Sequence, residues 1–177
     1  MPAGVAGSQP KTERMKRNGK RIWACILLTL LCFDVGGISS LLQGAALADW
    51  YPQLAKSSLT PPAMAFPVAW SLLYLCMGIS GGVIATSESS IRRPAMRLWA
   101  AQLAFNFGWS LLFFTFENPL LGLLDILVLD LLVGLYVVRT LRHRQRLAGW
   151  LFVPYLIWIL FASYLNLYVL AANGTGF

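Results

Sequence analysis

Apolar residues fill five stretches of the chain, and polar or basic residues collect in the gaps between them. Each stretch is close to the roughly 20 residues that a helix needs to cross about 30 Å of hydrocarbon. The predicted helices cover about residues 22–48, 66–86, 98–116, 119–138 and 148–172. The pattern therefore predicts an all-α membrane protein, a bundle of five transmembrane helices.

The distribution of basic residues predicts how this bundle is oriented. Thirteen of the 14 Lys and Arg residues lie before the first stretch, between the second and third, or between the fourth and fifth, and only Lys56 lies elsewhere. Loops rich in Lys and Arg stay on the cytosolic side of a membrane. We therefore expect an integral multi-pass protein with a cytosolic N-terminus and an outward C-terminus.

Composition supports a membrane protein and argues against a nucleic-acid-binding one. The 177 residues are 58% hydrophobic and only 12% charged, so the apolar surface exceeds what one soluble core of this size buries. The net charge of +7 comes from residues beside the apolar stretches, where anionic headgroups are the nearest partner. We expect membrane lipid as a partner and no nucleic acid.

The first stretch has a rival interpretation as a secretory signal, because basic residues precede it and Ala46-Leu47-Ala48 resembles a cleavage site. The apolar run is too long for a typical signal and is interrupted by Asp34, which favours a retained helix. Residues 1–21 contain Gly, Pro and basic residues without apolar periodicity, which predicts a disordered basic tail. Residues 173–177 form a short C-terminal tail.

The loop between the first two stretches, residues 49–65, is unusually apolar and rich in proline for a solvated connection. It contains Trp50, Tyr51, Pro61 and Pro62. Two interpretations remain open. The loop packs over the bundle as a lid, or its aromatic residues anchor it at the level of the lipid headgroups.

The third stretch has two different faces. Ala100, Ala104 and Gly108 form a smooth face that lets another helix approach closely, which predicts a homodimer closed by these residues. Asn106 and Trp109 belong to the opposite face, and an amide there costs too much free energy to point at lipid. Asn106 either bonds a neighbouring helix or contributes to a site.

Aromatic residues also share faces on the second and fifth stretches. Trp70 and Tyr74 lie four residues apart on the second, a pattern that more often serves packing than binding. On the fifth, Tyr155, Trp158, Ala162 and Asn166 fall within about 80° of arc. A small residue in the middle of this face predicts a gap beside Trp158 that admits a flat molecule.

Three acids lie within the apolar stretches: Asp34, Asp125 and Asp130. Such residues mark an interior face or a pathway, or they are protonated and donate a hydrogen bond between helices. The single histidine, His143, lies in a basic loop, and the sequence contains no metal-ligand cluster, nucleophile and base pair or phosphate-binding loop. We expect no metal, no required cofactor and no ordinary hydrolase or transferase.

Four separated segments together resemble the family of tryptophan-rich sensory proteins, also called translocator proteins or peripheral-type benzodiazepine receptors. They are DWY with TPP at 49–62, FPVAWSLLY at 66–74, QLAFNFGWS at 102–110, and PYLIW with FASYLN at 154–166. The resemblance implies a five-helix bundle whose ligand cavity opens toward the first loop. The residues that would line this cavity are Tyr51, Pro61, Trp70, Tyr74, Asn106, Trp109, Trp158 and Ala162.

The same resemblance implies the ligands. Family members bind flat lipophiles, among them protoporphyrin IX, haem, isoquinoline carboxamides and benzodiazepines, so we expect a receptor or carrier for porphyrins. One alternative is light- and oxygen-dependent degradation of porphyrin, with Trp70 and Trp158 as the residues involved. A second alternative is a regulatory or scaffold membrane protein.

Overall fold

The computed structural model describes residues 11–174, and all of the longer elements are helices. Within this range there are six α-helices. They are α1 (Lys11–Leu42), α2 (Gly44–Ala48), α3 (Ala65–Ala85), α4 (Arg92–Ser110), α5 (Pro119–Arg142) and α6 (Arg146–Asn173). A single 3₁₀ turn (Tyr51–Gln53) follows α2, and a π-helical turn (Leu111–Thr115) continues α4.

The prediction of an all-α membrane protein is confirmed, but the prediction of five transmembrane helices is wrong. Of the six helices in the described residues, only α1, α3, α5 and α6 are long and apolar enough to cross a membrane. The first predicted segment divides into α1 and the short α2. The third predicted segment does not qualify as a membrane span, because α4 begins with a basic turn at Arg92 and Arg93 and also contains Arg97. Its apolar end continues as the π turn.

The ends of the helices also differ from the prediction. Because α1 begins at Lys11, the described part of the predicted disordered tail, residues 11–21, is helical. The predicted segments 66–86, 119–138 and 148–172 agree with α3, α5 and α6 to within a few residues. Residues 1–10 and 175–177, which include the rest of both predicted tails, lie outside the described residues.

Two kinds of packing hold the helices together. The main core is built from buried side chains of α3, α4, α5 and α6, and Met77, Tyr136 and Phe152 are among those that are fully buried. Helix α1 instead packs closely on α3, where a Cβ atom added at Gly78 or Gly82 would overlap backbone atoms of α1. Small residues permit such close approach between membrane helices. This arrangement fixes α3 and α6 side by side and thereby positions their aromatic residues.

Candidate ligand-binding site

Four aromatic residues of α3 and α6 contact one another and form what we call the aromatic cluster: Trp70, Tyr74, Tyr155 and Trp158. Trp70 stacks on Tyr74 with ring centroids 5.3 Å apart. It meets Tyr155 and Trp158 edge to face at 6.2 and 6.4 Å. Both tyrosines are buried and both indoles are half-buried. Each helix therefore contributes one partly accessible tryptophan and one buried tyrosine.

Asn106 of α4 provides a polar group beside this cluster. Its Nδ2 atom donates a hydrogen bond to the Tyr155 hydroxyl at 3.1 Å, and the Asn106 side chain is only 3% exposed. The amide thus points into the protein, as its cost in lipid requires. This hydrogen bond also holds the Tyr155 ring, which Trp70 meets edge to face.

A second group of rings surrounds the π turn, and we call Tyr51, Trp109, Phe113 and Phe114 the π-turn cluster. The Phe116 N–H donates to the Leu111 carbonyl at 2.8 Å, which is the five-residue hydrogen bond of a π-helix. Trp109 stacks on Phe113 with ring centroids 5.5 Å apart. Tyr51 contacts Phe114 edge to face at 5.6 Å. The extra residue of the π turn places both phenylalanines against the loop.

Tyr51 connects this cluster to the loop after α2. Burial raises the pKa of its phenol above the usual value, so the hydroxyl stays neutral under physiological conditions. The Lys56 ammonium lies 4.8 Å from the centre of the Tyr51 ring and donates to the Tyr51 carbonyl at 2.7 Å. These contacts hold the loop and the ring together as one unit.

Asn166 of α6 connects helices α4, α5 and α6 near both clusters. Its Oδ1 atom accepts a hydrogen bond from the Trp109 indole at 3.1 Å, and its Nδ2 atom donates to the Pro119 carbonyl at 2.8 Å. This residue was absent from the predicted lining set. Its position on the same helical face as Tyr155, Trp158 and Ala162 was the signal that pointed to it.

The loop at residues 49–64 packs onto the bundle. Trp50 and Leu54 are 9% and 5% exposed, and Trp50 contacts Phe113 edge to face at 5.6 Å. Asn173 at the end of α6 accepts from the Ala55 N–H at 2.8 Å and donates to its carbonyl at 3.0 Å. The loop therefore covers this end of the helices, as the lid interpretation requires.

The eight predicted lining residues divide between these features. Trp70, Tyr74 and Trp158 lie in the aromatic cluster with Asn106 beside it, whereas Tyr51 and Trp109 lie in the π-turn cluster. The other two are half-buried: Pro61 precedes α3 in the loop, and Ala162 packs against the main core.

The three residues of the predicted dimer face do not share one environment. Ala100 and Ala104 are exposed on the outer side of α4. Gly108 instead faces α5, where an added Cβ atom would lie 3.0 Å from Asp125 Oδ1. The small face is therefore accessible at Ala100 and Ala104 and covered by the chain's own α5 at Gly108.

Asp125 is one of the three acids within the apolar stretches, and the other two, Asp130 and Asp34, have different surroundings. Asp130 Oδ2 accepts a hydrogen bond from the Ser163 hydroxyl at 2.7 Å, which joins α5 to α6. Asp34 is exposed on α1 among exposed apolar residues such as Leu30, Leu31 and Ile38.

Comparison with known proteins identifies the origin of this arrangement. The family model described as TspO/MBR family matches residues 26–171, which include both aromatic groups and all the helices from α2 to α5. The chain belongs to the TspO/MBR family. The resemblance noted in the sequence is thereby confirmed.

The chain is similar to relatives from several organisms. The chain is 37% identical to the tryptophan-rich protein TspO of Archaeoglobus fulgidus over 81% of its own length and 93% of the relative's. It is 36% identical to the protein of the same name from Chlorobaculum tepidum, over 87% and 98%. It is 32% identical to the translocator protein of Ovis aries, over 66% and 70%. As a family member with four apolar helices, the chain is an integral multi-pass membrane protein.

Proposed function

We propose that this protein is a membrane receptor or carrier for porphyrins, such as protoporphyrin IX and haem, and for related flat lipophiles. The observation that carries the proposal is the aromatic cluster, in which α3 and α6 each present a half-buried indole. Aromatic faces bind flat ring systems by stacking and by burial of apolar area.

Binding in this proposal separates rings that now contact each other. Trp70 and Trp158 belong to different helices, so a flat ligand that enters between them exchanges an indole–indole contact for two indole–ligand contacts. Tyr74 and Tyr155 form the buried floor, and Asn106 holds the Tyr155 hydroxyl. The packed loop with Tyr51 controls access from its end of the helices.

The decisive experiment is a titration of the purified full-length protein with protoporphyrin IX in darkness, followed by illumination in air. Saturable binding without loss of pigment supports a receptor or carrier. The close contact of two oxidisable indoles favours one second candidate, light-driven porphyrin degradation by oxygen. New product absorbance that depends on both tryptophans would support that activity. A lack of saturable binding would refute both.

We also propose that the protein forms a homodimer through the outer face of α4. Ala100 and Ala104 are exposed, and small residues let helix backbones approach where lipid provides no hydrophobic driving force. This proposal is independent of the ligand and is tested by oligomeric state.

A further inference from the structure

A cleft of about 360 Å³ lies at the end of the bundle where α1, the α3–α4 loop and the α5–α6 turn meet. Four arginines line it. Arg17 and Arg21 come from α1, Arg144 comes from the α5–α6 turn, and Arg146 is the first residue of α6. Glu88 from the α3–α4 loop is the acid in the lining. The cleft contains none of the residues of the aromatic or π-turn cluster.

The charge of this cleft favours an anion. Four arginines and one glutamate give it a net charge of +3. Glu88 faces Arg17 at 3.8 Å, whereas Arg21, Arg144 and Arg146 form no ion pair with another described side chain. Several guanidinium groups around one space suit phosphate, because each presents a planar fork of donors to its oxygens.

The backbone of the α5–α6 turn holds Arg144 in place and leads directly into Arg146. Arg144 adopts a left-handed conformation with φ of 59°, which is uncommon for a residue other than glycine. The Gln145 N–H donates to the Thr140 carbonyl at 2.8 Å, and the Arg144 N–H donates to the Leu141 carbonyl at 3.1 Å. The turn is therefore tightly hydrogen-bonded, which holds the backbone at Arg144 and at the adjoining Arg146 in place.

The position of the cleft indicates the source of the phosphate. It lies at the ends of α1, α3 and α6, which are three of the four apolar helices, and therefore at the depth of lipid headgroups. Leu147 in its wall is 53% exposed, and the next turn of α6 presents Trp150 at 62%. An acyl chain has an apolar surface to follow directly below the basic cleft.

We propose that this cleft binds the phosphate-bearing headgroup of an anionic membrane lipid, with its acyl chains along the outer surface of α6. Arg21, Arg144 and Arg146 contact the phosphate. Basic pockets between membrane helices at the headgroup level recognise anionic lipids in this way. The site is separate from the proposed porphyrin site and does not depend on it.

Native mass spectrometry of the full-length protein in neutral detergent tests the proposal, with phosphatidylglycerol and phosphatidylcholine as probes. We expect phosphatidylglycerol to bind more tightly. The double variant Arg144→Gln/Arg146→Gln should weaken it on the order of 30-fold, since each arginine near an anionic lipid contributes roughly fivefold. The matched control is Arg139→Gln/Arg142→Gln, which removes the same charge from exposed positions outside the cleft.

The possible outcomes distinguish a specific lipid-binding site from general electrostatic attraction. Equal weakening by both double variants would overturn the proposal, because it would show attraction by net charge alone. Equal affinity for soluble glycerol phosphate would overturn the assignment to lipid. If the turn variant does not fold, as judged by circular dichroism and gel filtration, Arg21→Gln on α1 replaces it and should still weaken phosphatidylglycerol more than Arg142→Gln.

Discussion

The indoles of Trp70 on α3 and Trp158 on α6 meet edge to face, with their centroids 6.4 Å apart and their planes at 81°. They are contributed by two helices that are far apart in sequence, and Trp70 also contacts the buried rings of Tyr74 and Tyr155. A flat ligand between the helices would touch both indoles. Each tryptophan can therefore be tested alone.

Replacement of either indole by a phenyl ring should weaken porphyrin binding without unfolding the protein. Trp70→Phe and Trp158→Phe keep most of the apolar volume, but they reduce the stacking face. Because an aromatic pair contributes about 0.5 to 1.5 kcal/mol beyond area burial, we expect a loss of affinity of about two- to tenfold for each. Fluorescence titration with protoporphyrin IX in darkness measures it.

Trp150→Phe is the control for these two variants, because Trp150 is 62% exposed on α6 and lies outside the cluster. It should bind protoporphyrin IX as the unaltered protein does. The same affinity in Trp70→Phe, Trp158→Phe and the control would remove both tryptophans from the site.

The Asn166 side chain should contribute to the stability of the protein and not only to ligand affinity. Asn166→Leu keeps a similar volume but leaves the Trp109 N–H and the Pro119 carbonyl without their partner. Buried polar groups left without a partner cost about 1 to 3 kcal/mol, and values in membranes lie toward the low end. The free energy of unfolding in detergent, measured by denaturant titration, should fall accordingly.

Trp109→Phe is the comparison for Asn166→Leu, because it removes the donor and leaves the bond to Pro119 intact. It should destabilise the protein less. If Trp109→Phe destabilises it as much as Asn166→Leu does, the bond to Pro119 is not important for stability.

The contrast between Asn166 and the π turn shows what the sequence can predict about this site. Helical periodicity placed Asn166 on the same face as Tyr155 and Trp158, and their helix was found at nearly the predicted residues. Periodicity could not reveal that α4 ends in a π turn, because one inserted residue changes hydrogen bonding without changing composition. The division of the predicted lining residues into two clusters follows partly from that turn.

The predicted number of membrane-spanning helices is wrong for a related physical reason. The predicted segment begins at Leu98, but the helix itself includes Arg92, Arg93 and Arg97, and α4 is much less apolar than α3 or α5. The break at Gln43, which ends α1, also falls inside the first predicted segment. Local apolar content predicts where helices exist better than where they divide.

Release of the loop from the end of α6 should speed ligand exchange. Asn173→Ala removes both hydrogen bonds to the Ala55 backbone, and Ser57→Ala removes the contact of that hydroxyl with Tyr164 at 3.1 Å. We expect faster amide hydrogen exchange at Ala55 and its neighbours, since those groups then open locally. Porphyrin should also dissociate faster in stopped-flow measurements.

Ser71→Ala is a suitable control for the loop variants. The Ser71 hydroxyl donates a hydrogen bond within its own helix, to the Pro67 carbonyl at 2.7 Å. It should leave hydrogen exchange in the loop unchanged. Unaltered exchange at Ala55 in Asn173→Ala would contradict a role for α6 in holding the loop.

A larger side chain at Ala162 should reduce binding of an isoquinoline carboxamide. Ala162 is half-buried one turn after Trp158, so Ala162→Thr adds volume beside that indole. Overpacking typically costs about 1 to 3 kcal/mol. If this cost destabilises the complex and not the free protein, it corresponds to a loss of affinity from about fivefold to more than hundredfold. Ala172→Thr, at an exposed position of the same helix, is the control. Equal affinity in both variants would place Ala162 outside the site.

The proposed homodimer is best tested at Ala104 rather than at Gly108. A side chain at Gly108 would meet Asp125 of the same chain, so Gly108→Leu could disturb α5 and give monomers for the wrong reason. Ala104 is exposed, and Ala104→Leu adds bulk only on the outer face of α4. Because close approach of backbones needs small residues, we expect this variant to be monomeric in mild detergent by gel filtration with light scattering. Ala172→Leu on α6 should leave the oligomeric state unchanged, and dimers of Ala104→Leu at the same protein concentration would show that α4 is not the interface.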